Sequence, residues 1–160
     1  MERNSLWCRR LMDFLLVTTL WLAMAGLAMA GVGPHVILGN PNVSDNRLTQ
    51  VDYGDGDTVY DSTYDCRRTN PASGDYHMYF QLDDNYIYNG NYPIAHVSVL
   101  IYDFGTAPIT LQYESSSSYF QAITKYRTNT NGLKWFTFDI ENAKFANGQQ
   151  GQFDFRLNDG

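Results

Sequence analysis

From Asp75 to the end of the chain, apolar and polar residues alternate with a period of two, which suits strands and not helices. Tyr76, Met78, Phe80 and Leu82 fall on one side of the first such segment, and His77, Tyr79 and Gln81 on the other. Ile109, Leu111 and Tyr113 repeat the pattern. So do Phe136, Phe138 and Ile140 against Trp135, Thr137 and Asp139, and finally Phe153, Phe155 and Leu157. Residues 94–102 are apolar on both sides, which places that strand centrally in a sheet. Phe120–Arg127 reads as a further strand. Asp83-Asp84-Asn85, Asp103-Phe104-Gly105 and Asn129-Thr130-Asn131-Gly132 are turn signals between these segments. Residues 52–75, dense in Asp and Gly, read as loops around a short strand near Thr58–Tyr60. About seven short strands joined by polar turns predict an all-β chain, an antiparallel β-sandwich of the jelly-roll type.

The first thirty residues follow a different rule. Arg3, Arg9 and Arg10 precede an apolar run from Phe14 to Leu27, and Ala28-Met29-Ala30 supplies small residues at the positions a signal peptidase reads. The 17 residues from Phe14 to Ala30 lie at the lower limit for spanning a bilayer, and Thr18 and Thr19 interrupt them. Cys8 precedes the apolar run, so it is not placed as the lipid-bearing cysteine of a lipoprotein. We therefore expect a signal peptide over 1–30 with cleavage after Ala30, a leader or linker over 31–50 and a β-sandwich domain over 51–160. The expected localisation is extracellular, with no membrane association after cleavage.

Charge narrows the partners. Of 11 basic and 17 acidic residues, 8 and 15 lie beyond residue 30, a net charge of −7. That balance disfavours nucleic acid, whose phosphates need clustered Lys and Arg, and anionic lipid. Cys66 is the only cysteine after the leader, which leaves a buried thiol or a bond to another chain. Asn42-Val43-Ser44 matches the glycosylation sequon.

Catalytic motifs are absent: there is no G-x-S-x-G and no H-E-x-x-H. His77 and His96 share the polar phase and would meet if their strands were neighbours. Asp83 and Asp84 are adjacent on a strand and so point apart, which excludes them as a glycosidase pair. The acidic loop around Asp55 and Asp57 is the best place for a hard cation, and calcium is the expected ion. All twelve tyrosines lie beyond the leader. Tyr86, Tyr88 and Tyr92 sit in a polar loop with little core to enter, and Trp135 takes the outward phase of its strand. Such rings stack on the C–H faces of sugars, so these four are the candidate carbohydrate-binding residues. Asp154 and Arg156 alternate to the face opposite Phe155, where Arg156 is expected to pair with a carboxylate.

Several motifs occur in an order that resembles a known family. They are Tyr79-Phe80-Gln81-Leu82-Asp83-Asp84, Val97 through Gly105, Ile109-Thr110-Leu111-Gln112-Tyr113, Trp135-Phe136-Thr137-Phe138, Asp139 to Phe145, and Phe153-Asp154-Phe155-Arg156-Leu157. Over about half the chain, this resembles the galactose-binding-like jelly-roll domains appended to secreted bacterial glycoside hydrolases. The resemblance implies a non-catalytic carbohydrate-binding module, a structural calcium, and a polysaccharide bound through loops or one sheet face. In such domains the chain commonly continues past the last of these strands. The expectation is therefore either a fragment with a catalytic domain downstream, or an edge strand at the end of the chain. The other functional expectation is an extracellular structural or interaction module that binds no sugar. Protein collected after export should begin within about two residues of Gly31; intact mass or N-terminal sequencing checks this, and membrane-bound chains retaining Met1 would contradict it.

Overall fold

The computed structural model describes residues 6–8, 14–15 and 33–159. The cleavage motif and most of the apolar run lie outside the described residues. The strands are β1 (Leu6–Cys8), β2 (Phe14–Leu15), β3 (Val36–Ile37), β4 (Val43–Ser44), β5 (Leu48–Val51), β6 (Val59–Asp61), β7 (Cys66–Arg68), β8 (His77–Leu82), β9 (Ala95–Asp103), β10 (Pro108–Tyr113), β11 (Gln121–Tyr126), β12 (Gly132–Ile140) and β13 (Phe155–Asp159). One 3-10 turn, Pro71–Ser73, precedes β8. The protein is an antiparallel β-sandwich. One sheet has the order β12-β9-β1-β7-β6, with β2 also on β9; the other has the order β11-β10-β13-β8-β5; β3 and β4 form a small hairpin.

The pleat explains the core. In one sheet Val97 stands opposite Phe138 and Val99 opposite Phe136; in the other, Leu157 stands between Leu111 and Met78, and Phe155 between Tyr113 and Phe80. These side chains form one buried cluster contributed by both sheets. The Phe80 and Phe155 rings are nearly parallel with centroids 5.0 Å apart. Each such aromatic side chain contributes about 2–3 kcal/mol by leaving water.

Two expectations need correction. Residues 31–50 are not a linker: Val36, Leu38 and Leu48 are buried in the shared core, and β5 pairs with β8 as a sheet edge. The domain therefore begins ahead of residue 51. Second, Cys66 is not a lone thiol but disulfide-bonded. The sequence has one other cysteine, Cys8, which lies opposite Cys66 in the β1–β7 register. The sequon side chain is also engaged. Asn42 donates to Gln50 at 2.7 Å, and its carbonyl accepts from Gly39 N–H and from Arg67 Nε.

The Asp103 carboxylate shapes the turn between β11 and β12. It is fully buried and accepts bonds from the main-chain N–H and hydroxyl of both Thr128 and Thr130. Burial opposes its charge, yet these donors outweigh it and hold the carboxyl well below the usual range. Asp103→Ala strands several buried donors and should cost about 3 kcal/mol in urea unfolding at neutral pH. Because the folded-state pKa is lowered, this stabilisation is present above the ordinary carboxylate range and disappears as pH falls below it. Equal stability of variant and parent at neutral pH would contradict this role.

Candidate functional site

At one end of the sandwich, three loops meet: 88–93 before β9, 114–119 after β10 and 141–149 after β12. They are joined by main-chain bonds: Asn89 N–H to Phe145 O, Gly90 N–H to Lys144 O, Ala143 N–H to Pro93 O, Ser116 N–H to Asn142 O and Lys144 N–H to Glu114 O. Loops have no ladder to shape them, so side chains must complete the job. Glu114, almost fully buried, accepts from Ala146 N–H at 2.7 Å and Gly148 N–H at 2.9 Å with one oxygen and from Lys144 Nζ at 3.0 Å with the other. Asp154, fully buried, accepts from Leu82 N–H at 2.7 Å and from Asn147 N–H at 3.3 Å. Gly148 permits the close approach, since a Cβ there would lie 2.5 Å from Glu114 Cδ and 2.6 Å from the Tyr119 ring. Ser115 closes its own loop by accepting from Ser117 and Ser118 N–H.

Two adjoining hollows open between these loops. One, of about 350 Å³, is walled by Asn89, Pro93, Ser116, Asn142 and Lys144 among others; the second, of about 210 Å³, lies along residues 114–119 and shares Ser116 and Lys144. Exposed phenol rings stand on the same loops: Tyr88 (43%), Tyr92 (36%) and Tyr119 (60%). The Lys144 ammonium is favoured by its hydrogen bond to and charge pairing with Glu114, which raise its pKa. Amides, hydroxyls and one neutralised ammonium can bond hydroxyl groups, and flat rings can cover C–H faces. A larger hollow beside Asn46, Gln81 and Asp83 has no aromatic side chain in its wall.

The predicted residues fall in four places. Tyr88 and Tyr92 belong to the loop-end cluster. Tyr86, one residue before buried Ile87, packs half-buried against the core, with the Arg47 guanidinium 5.2 Å over its ring. Trp135 is exposed on the outer face of β12, in the other sheet region, beside exposed Leu133 and opposite Leu100. Asp55 lies on the far sheet face, where it accepts from Tyr79 OH at 2.5 Å and sits 3.1 Å from His77 Nδ1. Asp57 is exposed beside it. Among the described residues no group of three or more His, Cys, Asp or Glu side chains could hold a metal ion.

Other polar clusters explain themselves structurally. Tyr79 is buried under Tyr53, Phe153 and Gly56; burial pushes its phenol up to about 12, and the bond to Asp55 adds to this. Burial lowers the His77 pKa, with Arg156 reinforcing it. Among the described residues Arg156 forms no ion pair with a carboxylate: it donates to Gln112 Oε1 at 2.6 Å and to Tyr79 OH at 3.2 Å. Asp154 does not share its face but is buried at the loop end. His77 and His96 lie in different sheets and do not meet; His96 bonds Asp139 at 2.6 Å across the β9–β12 pair.

Comparison of the chain with protein-family models, with curated proteins and with solved structures finds no match. The site therefore rests on its own geometry. Tyr119, like Tyr88 and Tyr92, is legible in the sequence as a loop tyrosine; Asn142, Lys144 and the burial of the Glu114 and Asp154 carboxylates are not. Glu114 sits at the head of a serine run and Asp154 among phenylalanines, and neither position advertises burial.

Burial pushes the Asp154 carboxyl up to about 7, against the two main-chain donors, and the nearby Asp84 and Glu114 carboxylates add to the rise. Its folded-state pKa lies above the unfolded value, so its contribution to stability is complete below the ordinary carboxylate range and is lost as pH rises toward neutrality. The lowered His77 shifts stability the opposite way but is common to both proteins. The melting-temperature advantage of the parent over Asp154→Asn should therefore shrink between about pH 5 and pH 8. Calorimetry on both checks this, and a pH-independent difference would refute it.

Proposed function

We propose that this protein is an exported, non-catalytic β-sandwich module that binds neutral polysaccharide at its loop end. The supporting observation is the grouping of exposed Tyr88, Tyr92 and Tyr119 around adjoining hollows with polar walls, on loops held by buried Glu114 and Asp154. The net negative charge and the neutralisation of Lys144 by Glu114 favour an uncharged ligand. Stacking supplies affinity, while hydrogen bonds to sugar hydroxyls exchange for bonds to water and add only about 1 kcal/mol each. Rigid loops reduce the ordering cost of binding. The resulting affinity belongs in the micromolar to millimolar range, about −8 to −4 kcal/mol. A jelly-roll topology of the galactose-binding-like kind accords with this reading.

A second reading is favoured by one observation. Leu133 and Trp135 are exposed together on the outer face of β12, with Ile94 and Phe104 exposed at the ends of neighbouring β9. Such an apolar surface suits a protein partner.

A glycan array and pull-down on insoluble polysaccharides discriminate the two. Joint Tyr88→Ala and Tyr92→Ala changes should weaken glycan binding by about tenfold or more, equivalent to about 1.4 kcal/mol, and Tyr119→Ala should weaken it too. Trp135→Ala should leave it unchanged. Tyr86→Ala should lower stability instead, because that ring packs on the core. No binding to any glycan would transfer the function to the Trp135 surface.

A further inference from the structure

The outer face of the sheet β11-β10-β13-β8-β5 carries the side chains that alternate away from the core. Register lines them up across the strands. Gln112, Arg156 and Tyr79 stand in one row across β10, β13 and β8. Thr110, Asn158 and His77 form the next row, about 7 Å along the strands. Among the outward residues of these five strands, Arg156 is the one with a permanent charge. His77 is the other base there, and burial shifts it toward its neutral form.

The guanidinium is held in place without using all its donors. Nε donates to Gln112 Oε1 at 2.6 Å and Nη1 to Tyr79 OH at 3.2 Å. The group lies over the Tyr79 ring at 5.8 Å and over the Phe120 ring at 5.2 Å. A guanidinium carries five N–H donors in a planar fork. Those on Nη2 have no partner among the described residues. Asp55, at the margin of this face, accepts from Tyr79 OH and faces His77 Nδ1, and it acts on Arg156 only at longer range. An oriented cation with donors to spare is matched to an anionic group.

We infer that Arg156 makes this sheet face a second binding site, for a single carboxylate carried on a hydroxyl-rich ligand, which is the chemistry of a uronic acid residue. The inference does not rest on the loop-end reading. The planar fork of Arg matches the two oxygens of a carboxylate. One guanidinium, with no second permanent cation among the outward residues, fits one anionic group. The net charge of −7 beyond residue 30 repels a polyanion. Partners for hydroxyls stand one row away: the Asn158 amide, 3.1 Å from His77 Nε2, and Thr110 Oγ1, 3.0 Å from Thr124 Oγ1. The exposed Phe120 ring is placed to cover a sugar C–H face beside the guanidinium. Because Gln112 and Tyr79 already orient the Arg156 side chain, binding orders it little further.

The test titrates the full chain with glucuronic acid, and separately with glucose and with inorganic sulfate, while NMR follows the side-chain amides of Gln112 and Asn158. The expected result is saturable shifts with glucuronic acid alone. Arg156→Gln should weaken that binding about tenfold or more, and Phe120→Ala should weaken it too. Raising the salt from about 0.01 M to about 1 M should also weaken it, by screening. Joint Tyr88→Ala and Tyr92→Ala changes should leave it intact; its loss there would overturn this site by moving the acid to the loop end. Neutral polysaccharide is scored separately, so the two readings fail separately. Equal shifts with glucose would overturn the anion site in favour of a neutral sugar surface. Equal shifts with sulfate would overturn the uronic acid in favour of any small anion. Undiminished binding by folded Arg156→Gln would remove the proposal, and if that variant does not fold, a parent whose binding ignores salt does the same.

Discussion

Glu114 and Asp154 are carboxylates with almost no contact with water, and the loop end of the sandwich depends on them. They stand at the end of β10 and just before β13, where two neighbouring strands leave the ladder. Glu114 N–H donates to Asp154 O, and Asp154 N–H donates to Phe80 O, so the main chain links β10, β13 and β8 at that point. Their side chains then reach outward to Leu82, Lys144, Ala146, Asn147 and Gly148. A buried carboxylate is costly unless its oxygens are bonded, and here main-chain N–H groups bond both carboxylates and Lys144 Nζ bonds the second Glu114 oxygen. The consequence is a loop cluster with a defined shape, on which exposed tyrosines keep fixed relative positions.

Burial governs both the rings and the loops that carry them. A ring contributes to binding only if the fold leaves it exposed, and a polar group positions a loop only if the fold takes it from water. Tyr79 and Tyr88 show the contrast. Tyr79 occupies the outward phase of β8 but is covered by Tyr53, Phe153 and the backbone at Gly56, and it serves as an internal hydrogen-bonding post between Asp55 and Arg156. Tyr88 lies where the chain has left the sheet and keeps its ring exposed. Similarly, Asp55 accepts from the Tyr79 hydroxyl with one oxygen and faces His77 with the other.

The sheet containing β9 raises a different constraint. A strand apolar on both faces needs a neighbour on each edge, and β12 supplies only one. The second neighbour is the N-terminal segment, through β1 and β2. The disulfide at Cys66 belongs to the same wall, opposite the position of Cys8 in the register. The N-terminal segment thus completes the sheet beside the disulfide.

By itself the sequence determined the strands and their faces. The alternation of Met78, Phe80 and Leu82, of Ile109, Leu111 and Tyr113, and of Phe136, Phe138 and Ile140 is a local property of the pleat, and all of them point into the core. It also determined the turn at Asp103 and the central character of β9, since two-sided apolarity has few other uses. Tertiary structure alone decided which strands became neighbours. That choice separated His77 from His96, drew Val36 and Leu48 into the core, and gave Arg156 an amide and a phenol in place of a carboxylate. It also decided which tyrosines among twelve remained exposed and where Glu114 and Asp154 were buried. The reason is range: a side chain's face along a strand follows from its immediate neighbours, whereas its cover comes from residues far away in the chain, such as Asp55 over Tyr79 or Lys144 over Glu114.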